Sequence, residues 1–209
     1  FGRVVDGIEI VQQISAAEAD TAGHPKDRIT IKAVTIRDTP PEPFLSSSAA
    51  EMAGLRAILE TSKGAITLEF FPDKAPEHVR NFLRLASVGV YDGTSFHRVV
   101  RGFVIQTGAL TSRGLLTEKQ QKFVQPLKPE FNDTKHVKGI LSMARGDDPA
   151  SAMTSFFIVT GDAPSLDGKY TVFGRVIDGL AVVEAIEQTA VNGEGPVTRI
   201  DLKSVRILK

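Results

Sequence analysis

The stretch YDGTSFHRVVRGFVIQTG, residues 91–108, decides the fold. Its apolar residues fall into two short runs, 96–100 and 103–106, with Arg101-Gly102 between them. Short runs rich in Phe, Val and Ile and bounded by Gly and polar residues read as strands. On the N-terminal side, residues 58–61 and 65–71 flank Ser62-Lys63-Gly64, and ITLEF alternates apolar with polar residues. That pair reads as a β-hairpin. Between hairpin and central stretch lies APEHVRNFLRLASVG, residues 75–89. It reads as a helix, with Pro76 suited to the first turn and Gly89 to the stop. Val79, Phe82, Leu83 and Ala86 stand at i, i+3, i+4 and i+7, which gives one buried stripe. On the C-terminal side, residues 139–144, 156–160, 172–176 and 200–207 read as further strands. A second short helix fits residues 180–186, with Val182, Val183 and Ile186 on one face. Many short strands with two helices fit a closed antiparallel barrel capped by helices; periodicity alone leaves a sandwich open.

The composition narrows the function classes. The chain has 209 residues, 42% apolar and 24% charged, close to globular averages. Basic and acidic residues both number 25, so the net charge is zero. A nucleic-acid partner is not expected, because neutralising phosphates takes a basic excess. No apolar run approaches the roughly 20 residues that span a bilayer, so no membrane partner is expected either. There is no cysteine, which excludes disulfides and thiolate metal sites and leaves the compartment open. His24, His78, His97 and His136 show no ligand spacing, and no P-loop, GxSxG or HExxH motif occurs, so no metal or cofactor is expected.

The chain also repeats itself. FGRVVDGIEIVQQI, residues 1–14, matches FGRVIDGLAVVEAI, residues 173–186. After a variable loop, PKDRITIKAVTI at 25–36 matches PVTRIDLKSVRI at 196–207. Two blocks in the same order with a single one-residue gap argue for homology. About 38 residues are too few to hold a core alone. Residues 1–38 therefore read as the C-terminal remnant of a preceding homologous domain, with the natural N-terminus missing. Docking of this segment on the complete domain is the competing reading. Residues 39–52, TPPEPFLSSSAAEM, are rich in Pro and Ser and read as a linker, and 53–209 as the complete domain.

Several motifs stand in order within that domain: the central YDGTSFHRVVRGFVIQTG, the PEFND run at 129–133, ILSMARGDD at 140–148, TSFFIV at 154–159 and LDGKYTVFGRV at 166–176. Together they resemble the cyclophilin family of peptidyl-prolyl cis–trans isomerases, in its bacterial form, over the whole of 53–209. The resemblance implies a mainly β fold: a closed eight-stranded antiparallel barrel capped by two α-helices. It implies a shallow groove for an Xaa-Pro segment. It also implies that Arg98 is the catalytic arginine, with Phe103 and Gln106 completing the catalytic set in the groove. Ala144, Arg145, Phe157, Leu166 and Tyr170 take substrate-binding positions, with Phe157 as the floor of the proline pocket. His97 reads as structural.

The residue types suit that chemistry. Isomerisation breaks no bond, so it needs no nucleophile, metal or cofactor. The catalyst must favour a twisted amide whose nitrogen has regained its lone pair. A guanidinium can donate to that nitrogen, and Gln106 can hold the substrate carbonyl and help anchor Arg98. Some positions depart from the common family pattern: Ser165 stands where many members have Trp, Tyr170 where His is common, Ser155 in place of Gln, Arg145 in place of Asn and Val104 in place of Met. The missing Trp implies weak cyclosporin binding. The implied partners are proline-containing polypeptides, bound by a monomer that assists folding. The rival reading, motivated by Ser155, Ser165 and Tyr170, is a proline-peptide binding module without catalysis. A third is that the tail serves assembly by completing a neighbour's barrel.

Overall fold

The computed structural model describes residues 8–34 and 42–208. The chain divides into two compact units, Phe1–Pro40 and Pro41–Lys209. The sequence expectations at 1–7 and 35–41 lie outside the described residues.

The first unit contains helix α1 (Ile8–Ser15) and a turn closed by a bridge between Ala19 and Pro25. Asp20 Oδ1 tightens that turn by accepting from the main-chain N–H of Ala22 at 2.9 Å and of His24 at 2.8 Å. Residues 28–34 form no strand, and residues 9–34 are exposed throughout.

The second unit holds the remaining elements. They are α2 (Ala49–Met52), β1 (Arg56–Thr61), β2 (Gly64–Phe70), α3 (Pro76–Ser87), β3 (Thr94–Ser95), β4 (Arg98–Val100) and β5 (Val104–Thr107). There follow α4 (Glu118–Phe123), β6 (Ile140–Met143), β7 (Phe156–Val159), β8 (Val172–Asp178), α5 (Leu180–Glu187), β9 (Val191–Asn192), β10 (Gly195–Pro196) and β11 (Asp201–Leu208). Helix α1 thus covers the positions that match α5 in the repeat, and the Ala19–Pro25 bridge corresponds to the Val191–Pro196 pair of the β9–β10 hairpin. Of the counterpart of β11, the described residues 30–34 form no strand; β11 itself pairs with β1 and β3.

Nine strands form one antiparallel sheet in the order β3-β11-β1-β2-β8-β6-β7-β5-β4. The expectation was eight strands in a closed ladder. The difference lies at β3 and β4, the two ends of the sheet, which are separated in sequence only by Phe96-His97. Phe96 N–H still donates to Ile200 O at 2.9 Å, on the β11 side, while His97 N–H donates to Gln106 O at 3.1 Å, on the β5 side. One bent strand therefore changes partners at this point. The sheet curls round and its ends meet through the covalent chain instead of a ladder between β3 and β4.

Helix α3 fills the core. The predicted stripe of Val79, Phe82, Leu83 and Ala86 is buried. The Phe82 ring meets Phe70, Tyr91, Phe156 and Phe173 at centroid distances of 5.3, 5.0, 5.3 and 5.7 Å. The helix ends at Gly89, whose φ of +70° suits a residue without Cβ. There Gly89 N–H donates to Ala86 O and Val90 N–H to Leu85 O, the paired bonds of a Schellman motif. Helix α5 buries Val183 and Ile186, as its apolar face requires.

The linker boundary differs from the sequence reading. Ser48 and Glu51 form a reciprocal capping box at α2, Met52 is fully buried, and Phe44 and Leu55 pack on the core. Arg80 Nη2 also donates to Ser47 O at 2.7 Å. A Ser-rich composition reads as a tether, but Ser-x-x-Glu before an apolar residue is also a helix start. Residues 44–52 belong to the barrel unit.

Candidate active site

The site is built from one row across four strands. Register pairs Arg98 of β4 with Gln106 of β5, Gln106 with Phe157 of β7, and Phe157 with Ser142 of β6. Residues directly opposite in adjacent strands share a face, so these four side chains form one line. Neighbours along a strand point to opposite faces. Phe156 therefore enters the barrel core, against Phe82 and Tyr91, while Phe157 faces away into a second apolar cluster. That cluster holds Val104, Ile140, Val159, Ala163, Leu166 and Val172, with Phe103, Ala144 and Tyr170 at its edge.

Above this floor lies a cavity of about 200 Å³. Its lining is Arg98, Phe103, Gln106, Ala144, Arg145, Phe157, Leu166 and Tyr170, together with Val104. All eight residues singled out from sequence thus meet at one place. A second cavity of about 220 Å³ adjoins it, sharing Gln106, Ala144 and Arg145 and lined beyond them by Gly146, Ser151, Met153, Thr154 and Ser155.

The floor is braced from behind. The His136 ring lies nearly parallel to Phe157, 6.2 Å between centroids. Its Nδ1 is 3.0 Å from Asp167 Oδ1 and its Nε2 is 3.1 Å from Ser142 Oγ, which donates to Thr171 O at 2.9 Å. Main-chain and side-chain hydrogen bonds from His136 hold the Asp167 carboxyl down at about 2. Burial lowers the His136 pKa, and the hydrogen bond to the Asp167 carboxylate opposes that shift. Asp167 adjoins Leu166, so the same contact fixes one wall of the cavity.

Partners that the sequence does not announce surround two of the cavity residues. The guanidinium of Arg145 lies 4.7 Å above the Tyr170 ring. Its Nε and Nη2 donate to Lys169 O, and Nη1 to Gly146 O and Asp147 O. With four of its five N–H donors engaged by its own chain, Arg145 shapes the wall by holding Tyr170. Tyr170 in turn meets Phe157 edge-on at 5.7 Å. Among the described residues no side-chain hydrogen bond joins Gln106 to Arg98. The anchor of Arg98 is Glu194, which the sequence reading missed: its carboxylate accepts from Arg98 Nε at 2.6 Å and Nη2 at 3.1 Å. The hydrogen bond to Glu194 raises the Arg98 pKa further and holds the Glu194 carboxyl below its usual range. The Asn192-Gly193-Glu194-Gly195 run is legible as a turn, but nothing local ties it to a residue 96 positions away. His97 is half-buried, and desolvation lowers its pKa.

The family model for "Cyclophilin type peptidyl-prolyl cis-trans isomerase/CLD" matches residues 56–207. The chain belongs to the cyclophilin family. Among relatives of this cyclophilin, the peptidyl-prolyl cis-trans isomerase CYP23 of Arabidopsis thaliana is 38% identical over 161 residues, 74% of this chain and 71% of that protein. The peptidyl-prolyl cis-trans isomerase-like 3 of Mus musculus is 37% identical over 153 residues, 71% of this chain and 93% of the relative. The crystal structure of a Cryptosporidium parvum cyclophilin-type isomerase superposes with a TM-score of 0.66 at 29% identity, covering 74% of this chain and 97% of that one. The same protein has also been solved in the presence of the dipeptide Ala-Pro. The isomerase reading therefore stands over that of a non-catalytic module, and this cyclophilin is a peptidyl-prolyl cis–trans isomerase.

Proposed function

We propose that this cyclophilin catalyses rotation about Xaa-Pro bonds in the cavity above Phe157, with Arg98 donating to the prolyl nitrogen of the twisted amide. The observation that carries this is the row Arg98–Gln106–Phe157, which puts a cation, an amide and an apolar floor beside one another on a single face. The proline ring rests on Phe157, with Phe103, Leu166 and Tyr170 as walls and Ala144 along the peptide. Gln106, whose amide is not engaged with Arg98, takes the substrate carbonyl.

Uncatalysed rotation meets a barrier of about 18–20 kcal/mol, because planarity carries amide resonance. Twisting localises the lone pair on nitrogen, and a donor placed there binds the transition state more tightly than the planar ground state. One charge-assisted hydrogen bond is worth roughly 1.5–3 kcal/mol, which gives about 10- to 150-fold. Larger acceleration is supplied by the apolar cavity, which removes water from the amide.

Substrates are proline-containing segments of flexible polypeptides, and the protein acts as a monomer. Ser165 leaves cyclosporin without the aromatic neighbour common in the family, so its binding is weak. The repeat and its matching helix and turn support residues 1–38 as the end of a second domain of the same kind. The test of the site is Arg98→Lys. Lys keeps the charge but not the planar fork of donors. Activity should fall more than tenfold in peptide exchange; a smaller loss removes Arg98 from the role.

A further inference from the structure

We propose that Glu194 is a positioning residue for Arg98, a clamp that aims the guanidinium at the substrate; this rests on the role given to Arg98 above. A guanidinium has five N–H donors. Glu194 takes the Nε–H and one N–H of Nη2. It grips the side of the group, and the two N–H of Nη1 and the second of Nη2 have no partner among the described residues. Since Arg98 also lines the cavity, the fork is held by its outer side with its remaining donors available to a bound peptide.

The clamp is itself fixed. Gly193 and Glu194 form the tip of the β9–β10 hairpin, with Asn192 paired to Gly195. Gly193 has a φ of +60°, and glycine-first two-residue hairpins adopt that conformation readily. The tip is stapled to β4 by main chain as well: Val99 N–H donates to Glu194 O at 2.7 Å. The carboxylate therefore sits on a hydrogen-bonded turn beside the strand that carries Arg98. Binding it in advance removes rotamer freedom that the transition state would otherwise have to freeze.

The test compares wild type, Glu194→Ala, Glu194→Gln and Arg98→Ala as full chains. Two quantities are read: kcat and KM for an Ala-Pro peptide by NMR exchange, and the Arg98 Nε–H signal. The clamp predicts that Glu194→Ala lowers kcat roughly tenfold, the worth of one charge-assisted hydrogen bond, with KM within about twofold. Glu194→Gln, which keeps one acceptor, should lose less. The Arg98 Nε–H signal should broaden or vanish in Glu194→Ala, which a hairpin with a purely structural role would not cause. Unchanged kcat in Glu194→Ala beside an inactive Arg98→Ala would overturn the clamp and leave the isomerase site intact. Faster turnover in Glu194→Ala would also overturn it, since the carboxylate would then be competing with substrate. Full activity in Arg98→Ala would remove the reading on which the clamp rests.

Discussion

Phe156 and Phe157 are neighbours on β7 that face opposite ways, so one substitution made at each separates packing from function. Phe156 meets Phe82 at 5.3 Å and Tyr91 at 5.4 Å, both edge-on. Phe157 meets Tyr170 edge-on at 5.7 Å and His136 nearly parallel at 6.2 Å. Each aromatic pair is worth about 0.5–1.5 kcal/mol beyond burial, so Phe→Leu at either position forfeits about 1–3 kcal/mol. For a domain of this size that lowers Tm by about 2–12 °C. Both variants should remain folded at 10 °C. Measured there by NMR exchange of a proline peptide, Phe157→Leu should lose at least fivefold in kcat/KM, and Phe156→Leu should keep wild-type activity. Equal losses of activity in the two variants, or a loss confined to Phe156→Leu, would refute the assignment of Phe157 to the substrate floor.

Other consequences are more local. Arg145→Met removes the cation held over Tyr170, worth about 0.5–1 kcal/mol at an exposed site, and should raise KM roughly two- to fivefold with kcat preserved. A KM unchanged in that variant would mean Tyr170 needs no brace. Acidification should destabilise the fold through His136. Its folded pKa lies below the unfolded value of 6.5, so the unfolded chain binds the proton first, and stability falls as pH drops below about 6.5. His97 is shifted the same way and adds to the effect. Melting at pH 7.5 and 5.5 checks this, and His136→Asn should flatten part of the difference; a steeper dependence in that variant would contradict the assignment. Ser48→Ala should cost about 0.5–2 kcal/mol in urea unfolding, because α2 is capped and Met52 beneath it is buried. No loss would mean that residues 44–52 do not stabilise the barrel.

What the sequence reveals and what it hides follow from the range of the interactions. The α3 stripe and its Gly89 stop are local patterns with a 3.6-residue period, and they stand as read. The strand runs are equally local, and the ladder places them within a residue or two of the sequence reading. Curling of the sheet is not local. Nothing in residues 94–100 announces that Phe96 pairs toward β11 and His97 toward β5, so one bent strand reads as one straight run. The cavity residues come from family motifs, which carry identity without partners. Arg145 shows the consequence: its position beside the cavity is legible, but the engagement of its guanidinium with Lys169 O, Gly146 O and Asp147 O depends on how the loop turns back. Glu194 is hidden more completely, since its only mark in sequence is a turn and its partner sits on another strand. The capping box at Ser48 is a local Ser-x-x-Glu pattern set in a Pro- and Ser-rich stretch whose composition also fits a tether.

The central claim is that Arg98 accelerates prolyl rotation in the cavity over Phe157. NMR exchange spectroscopy of an Ala-Pro-Phe-type peptide, with the full chain and with Arg98→Ala at equal concentration, tests it most directly. The account predicts cis–trans exchange well above the uncatalysed rate with wild type, and a fall of at least tenfold in Arg98→Ala while the peptide still binds. Exchange equally fast in both proteins would contradict it.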